Sequence, residues 1–209
     1  MGVLFKDYID TYKKYYRLSK KVYSMSKVYN ETDTLVGEHL ISKIDIHDWI
    51  DTQILTEKDP WIYLWMKEAG RYYTTMLETS PKGVPMPSHV EPGQCHHNNA
   101  VYANELADLH PELLDDFKFV TGYHGISPKQ TIASDKKYAI GRHTFMTYKG
   151  AVLDYGILAH PTYPIFVHQY FGISFDLKVV LNAIGRLDSE ITEKIPMLDL
   201  LRYEPYLKE

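Results

Sequence analysis

Gly93-Gln94-Cys95-His96-His97-Asn98-Asn99-Ala100 is the stretch that decides how this chain is read. It holds the single cysteine of 209 residues, directly after Pro92-Gly93 and directly before a helical pattern. Proline followed by glycine breaks regular structure, so a helix is expected to start at the thiol. A helix N-terminus offers unpaired N–H groups and the positive end of the macrodipole, and both favour thiolate over thiol. The same N–H groups, that of Cys95 included, can hold an oxyanion on an attacked carbonyl. A lone cysteine is most often a small buried hydrophobe. Here Gln94, His96, His97, Asn98 and Asn99 make the setting wet and polar, and the expectation is a working thiol.

Upstream, Pro81, Pro85, Pro87 and Pro92 with Gly83 and Gly93 predict an extended loop over Ser80 to Gly93. Before it, Asp59-Pro60 reads as an N-cap and first helical position. The helix they open is expected to carry Trp61, Leu64, Trp65, Ala69, Tyr72, Tyr73, Met76 and Leu77 on one apolar face. Leu35 to Ile54 lacks a clean period and is read as a helix broken near His47. Residues 4 to 29 form an amphipathic pattern, with Leu4, Tyr8, Tyr12, Tyr15, Val22 and Met25 on one stripe and lysines on the other faces.

Downstream, the helix from Cys95 is expected to reach about Leu114. Tyr102, Leu106, Leu109 and Leu113 form its stripe, and Ala100, Ala103 and Ala107 allow close packing on a sheet. Then the period changes to two. Phe117 to Thr121 reads as a strand ended by Gly122, Tyr138 to Tyr148 as a second, and Ala151 to Tyr155 as a third after a Lys149-Gly150 turn. Ile165 to Phe175 is read as a strand pair bent at Gly172, Asp176 to Gly185 as a short helix, and the remainder as a tail packing back.

The hairpin has a chemical consequence. If Lys149-Gly150 closes it, Tyr148 faces Ala151 and Asp154 falls opposite Phe145. His143, two residues before Phe145, then shares a face with Asp154 as its diagonal neighbour. A longer loop would send the two side chains to opposite faces. An aspartate so placed can orient an imidazole and support its charged form.

In order, Gly93-Gln94-Cys95, the Ala100 helix, Phe119-Val120-Thr121-Gly122-Tyr123, Arg142-His143-Thr144-Phe145 and Gly150-Ala151-Val152-Leu153-Asp154 resemble the core of the transglutaminase-like, broadly papain-like, superfamily. The resemblance covers residues 93 to about 157. It implies Cys95 as nucleophile, His143 as general base and acid, and Asp154 as orienter. Thr144-Phe145 replaces the usual Ala-Trp, and Gln94 adjoins the cysteine where papain has a glutamine a few residues earlier. Gln94 is therefore a candidate oxyanion donor, and His96, Tyr123, His124 and Tyr155 are candidate substrate-pocket residues. A zinc site at Cys95, His96, His97 and His124 would need adjacent residues to ligate one ion, and no Cys-x-x-Cys or His-x-x-x-His spacing occurs. No metal or other cofactor is expected.

Composition bounds the rest. Hydrophobic residues make up 44% and charged residues 24%, as in an ordinary globular domain, and the net charge of −4 gives no general attraction to nucleic acid or anionic membrane. No apolar run approaches the roughly 20 residues that cross a bilayer, and the N-terminus shows neither a signal-peptide nor a myristoylation pattern. A cysteine without a partner fits a reducing, cytoplasmic setting. The expected architecture is one α+β domain over 1–209. Its N-terminal helices (1–80) and the Cys95 helix pack on an antiparallel sheet, with the Cys-His-Asp core in 81–180 and a tail in 181–209. The expected activity is acyl transfer or hydrolysis on a protein, peptide or small amide. A binding or inhibitor protein working through its tyrosine-rich helices, which hold many of the 18 tyrosines, is the rival from another class.

Overall fold

The computed structural model describes residues 39–41, 46–56, 61–91, 93–128, 138–159 and 166–186. The helix expected over 4–29, the Asp59-Pro60 cap, the loop 129–137 and the tail beyond 186 lie outside them. The fold is α+β. In chain order the elements are β1 (His39–Ile41), α1 (Ile46–Thr56), α2 (Trp61–Ala69), β2 (Arg71–Tyr73), α3 (Cys95–Leu109) and a 3-10 turn (Pro111–Asp116). Then come β3 (Phe117–Pro128), β4 (Tyr138–Tyr148), β5 (Ala151–Leu153), α4 (Tyr155–Leu158), β6 (Phe166–Asp176) and α5 (Leu177–Arg186).

The strands pair antiparallel in the order β1-β4-β3-β6-β2, with β5 on the same edge of β4 as β1 but farther along it. The sheet curls until its ends meet. Just past β2, Leu77 N–H donates to the Val152 carbonyl and Val152 N–H to that of Thr75, both at 2.8 Å. Alternation then sorts side chains to the two faces. Val120, Phe145, Val152, Tyr170 and Tyr73 pack together inside the curl. Phe119, Met146, Phe171 and Phe175 face outward among residues of the helices such as Trp65, Tyr102 and Leu106. Burying each such ring stabilises the fold by roughly 1.5–3 kcal/mol.

Five expectations need correction. Gly122 does not end a strand, because β3 continues to Pro128. A Cβ on Gly122 would lie 2.1 Å from the Phe171 carbonyl oxygen and one on Gly172 2.7 Å from that of Thr121, so these glycines let β3 and β6 approach closely. β6 accordingly runs unbroken through Gly172 where a bent pair was expected. Helix α2 stops at Ala69, and Tyr72 and Tyr73 lie on or beside β6 as part of β2, held there by backbone pairing that periodicity does not register. Near His47 there is no broken helix: a strand at His39–Ile41 precedes a helix that starts at Ile46. Helix α3 ends at Leu109, which is 70% exposed and so does not continue the packed stripe of Tyr102 and Leu106.

The hairpin has the expected register. Tyr148 pairs with Ala151 and Met146 with Leu153. Lys149 and Gly150 both take positive φ, 50° and 88°, as a tight two-residue turn of matching twist requires.

Candidate active site

β1 covers β4 over Tyr138–Ile140 and β5 covers it over Met146–Tyr148, which leaves the stretch between them open on that edge. The first turn of α3 fills the gap. The Asn99 side-chain amide donates to the Thr144 carbonyl at 2.9 Å, and a ring nitrogen of His96 shares a 3.1 Å hydrogen bond with the Thr144 hydroxyl. Cys95, half-buried at the helix start, meets the backbone of Thr144 and the side chain of His143. Helix start and strand edge are thus complementary: side chains of the α3 first turn meet the stretch of β4 that neither β1 nor β5 covers.

His143 points into the curl, and its Nε2 lies 2.5 Å from Asp154 Oδ2. That leaves Nδ1 as the nitrogen for the thiol. Asp154 is 1% exposed, and its carboxylate is fully engaged. Oδ1 accepts from the Ile157 N–H at 3.2 Å, so the residue doubles as the N-cap of α4. Oδ2 also accepts from the Tyr170 hydroxyl at 3.1 Å.

The electrostatics follow from this packing. Burial pushes the Cys95 thiol up, but the hydrogen bond and charge of His143 and the backbone contact with Thr144 outweigh it, leaving the thiol below its ordinary range. Burial would depress the His143 imidazole; the Asp154 carboxylate, then the thiol, reverse that and raise it to about 10. Burial also raises the Asp154 carboxyl, and the His143 charge and hydrogen bond bring it below the usual carboxylate range. Each shift is toward the charged form of its group: the thiol and the carboxyl go down, and the imidazole goes up.

A small cleft opens beside the sulfur, walled by Pro87 and Val90 of the proline-rich loop, by Asn99 and Tyr102 of α3, and by Tyr155. The loop is strapped down by hydroxyls: Tyr102 and Tyr155 both donate to the Pro85 carbonyl, at 2.7 and 3.2 Å.

The other anticipated pocket residues divide. Tyr155 lines the cleft. His124 lies on the inner face, its ring 5.1 Å from that of His143, and is hydrogen-bonded to His168 at 2.9 Å. Burial, then the His143 charge, lowers the His124 pKa to about 3, so it stands neutral beside the imidazolium. Tyr123 and His96 do not line the cleft. Tyr123 is packed outward between Trp49 and Tyr63, and His96 turns to Thr144 and Phe119, because neighbouring residues on a strand or helix take different faces. Gln94 is exposed, and its side chain makes no capping hydrogen bond. Tyr170 and Thr144 were not anticipated. The one local trace of Tyr170 is the alternation of His168 and Tyr170 along β6; Thr144 acts through its backbone, which sequence does not mark.

Comparison with protein-family models, with curated proteins and with solved structures finds no match to this chain. The likeness to the transglutaminase-like core rests on the ordered residues alone. Among the described residues no cluster of three histidine, cysteine or acidic side chains is disposed to hold a metal ion, and no helix is long and apolar enough to cross a membrane.

Proposed function

We propose that the protein is a cysteine-dependent acyltransferase or amide hydrolase, with Cys95 as nucleophile, His143 as proton carrier and Asp154 as orienter. The observation that carries this is the grouping of a helix-start thiol, lowered by the His143 imidazole beside it, with that imidazole held 2.5 Å from a buried carboxylate. The Cys95 sulfur forms a bond to the substrate carbonyl carbon, and the negative charge moves to the carbonyl oxygen at the positive end of α3, beside the Cys95 N–H. His143 gives its proton to the leaving nitrogen as the C–N bond breaks, and a thioester remains. Water or an amine then attacks the thioester carbon, losing a proton to His143, and the C–S bond breaks to restore the thiolate. The order of residues also supports placing the chain with the transglutaminase-like and papain-like enzymes.

The direct test is the pH dependence of Cys95 alkylation. Wild type is expected to react at pH 6 many times faster than a free thiol, since its thiolate persists below the ordinary range near pH 8.5. His143→Ala should return the profile to that of a free thiol, and Cys95→Ala should abolish labelling with the fold intact by circular dichroism. A wild-type profile matching that of free glutathione would sink the reading.

A further inference from the structure

Pro87 and Val90 wall the cleft from one side, and the segment that carries them, Val84 to Glu91, is held to the molecule by side chains. Among the described residues its only backbone-to-backbone hydrogen bonds are local. Val84 N–H donates to the Pro81 carbonyl at 3.0 Å, and Gln94 N–H to that of Glu91 at 3.3 Å. The remaining fastenings come from α3 and α4. The Pro85 carbonyl accepts from Tyr102 and Tyr155. Ser88 donates to the Glu105 carboxylate through its N–H, at 3.1 Å, and through its hydroxyl. Glu91 N–H donates to Asn98 Oδ1 at 2.9 Å, and the Asn98 amide donates back to the Glu91 carbonyl at 2.8 Å.

Such fastenings are readily undone, because each polar group released exchanges its partner for water. Apolar burial adds little. Val84 is 7% exposed, but it lies at the very start of the segment, whereas Met86 is 71% exposed and Ser88 and His89 face solvent. A glycine with positive φ stands near each end, Gly83 at 85° and Gly93 at 76°, and a Cβ on either would meet nothing within 4 Å. Glycines in open space can absorb a backbone rotation without a clash. Between them Pro85 and Pro87 fix φ, so the segment moves as a stiff arm. The cleft it walls has room for little more than one water-sized group, and Cys95 is half-buried there.

We propose that Val84–Glu91 is a lid over Cys95, hinged at Gly83 and Gly93 and latched to α3 by Ser88 on Glu105 and by Glu91 on Asn98. Closed, it admits only small groups to the sulfur. Lifted, it uncovers the start of α3 to a larger acyl donor. The Ser88–Glu105 latch lies about 15 Å along the helix axis from Cys95, so it can be cut without touching the reacting groups. The inference rests on the reading of Cys95 as nucleophile and adds how access to it is controlled.

The test uses the full chain and two uncharged reagents with one leaving group, methyl and benzyl methanethiosulfonate. With each, the thiolate forms an S–S bond to the divalent sulfur of the reagent as the S–SO₂ bond breaks and methanesulfinate leaves. Rates at pH 6 are divided by those of glutathione with the same reagent. Wild type is expected to disfavour the benzyl reagent by about 100-fold, as for a lid open about 1% of the time. Glu105→Ala, which removes two hydrogen bonds, should speed the benzyl reaction about tenfold and leave the methyl rate unchanged. Hydrogen exchange read by mass spectrometry should quicken in peptides covering 84–91 and stay as it was in α3, which separates a freed lid from a loosened fold. Equal normalised rates for the two reagents in wild type would overturn the lid while leaving the cysteine mechanism standing. So would a benzyl penalty that Glu105→Ala leaves in place, the mark of a fixed wall. A methyl reagent no faster on Cys95 than on glutathione would instead strike at the nucleophile, the reading on which the lid rests.

Discussion

Along β4, His143 and Phe145 turn into the curl of the sheet, while Thr144 and Met146 turn toward α3 and its neighbours. The same alternation holds in β3 between His124 and Tyr123, and in β6 between Tyr170 and Phe171. The outward set is apolar or hydrogen-bonded to a helix and holds the layers together. The inward set stacks His124, His143 and Tyr170 around one buried carboxylate. One strand thus contributes cohesion and chemistry at successive residues, because a period of two is the only segregation a strand allows. The lesson is that stability and reactivity here should be separable by single substitutions on opposite faces.

The largest effect expected on that separation is Phe175→Ala. Phe175 is outward, 2% exposed and set edge-on to Trp65. Truncation should cost about 3–5 kcal/mol in urea unfolding, yet leave the alkylation rate of the still-folded molecules within a factor of two. A folded variant with a slow thiol would show that the faces are coupled. Gly122→Ala tests the seam where the faces meet. Its new methyl meets the Phe171 carbonyl and the Gly172 backbone, which cannot yield as a flexible side chain does. A loss of about 1–3 kcal/mol is expected, together with slower alkylation, because Gly122 pairs with His143 across the ladder. Unchanged stability would mean that β3 and β6 can separate freely.

The smallest effect is a slope. His124 stays neutral in the folded protein down to about pH 3, held there by burial and by the His143 and His168 charges against the pull of Asp154. The unfolded chain takes that proton below about pH 6.5. Between those values the unfolded state binds more protons, so stability falls as pH falls, by up to about 1.4 kcal/mol per pH unit. His143, with its raised pKa, is already protonated over this range and adds little to the slope. His124→Phe should keep the stacking on Tyr170 and flatten the acid limb, as read from urea midpoints at pH 4, 5 and 6. Parallel limbs in the two proteins would mean that the inner imidazole is not held neutral.

Much of the site's placement could be read locally. The Lys149-Gly150 turn and two strands of clear alternation set the face shared by His143 and Asp154, and Pro92-Gly93 with the alanine-lined helix located the start of α3. Gln94, His96 and Tyr123 lie close in sequence to Cys95 or to the Gly122 pairing, yet Gln94 is exposed and the His96 and Tyr123 side chains pack elsewhere, because neighbours on a helix or strand diverge. Tyr170 comes from a strand whose neighbours, β2 and β3, are far away along the chain.

What the amino-acid order determined alone is therefore what short-range geometry can hold: a helix beginning at the thiol, a hairpin of known register, and a break-filled loop leading into both. Tertiary structure decided the rest. It ended α2 at Ala69, closed the sheet through Thr75–Leu77, left an edge of β4 open for the helix mouth, and turned Asn99 to bridge them. Those outcomes depend on backbone groups seeking partners across long loops, and a backbone N–H or carbonyl looks alike at every position until the fold brings its partner near.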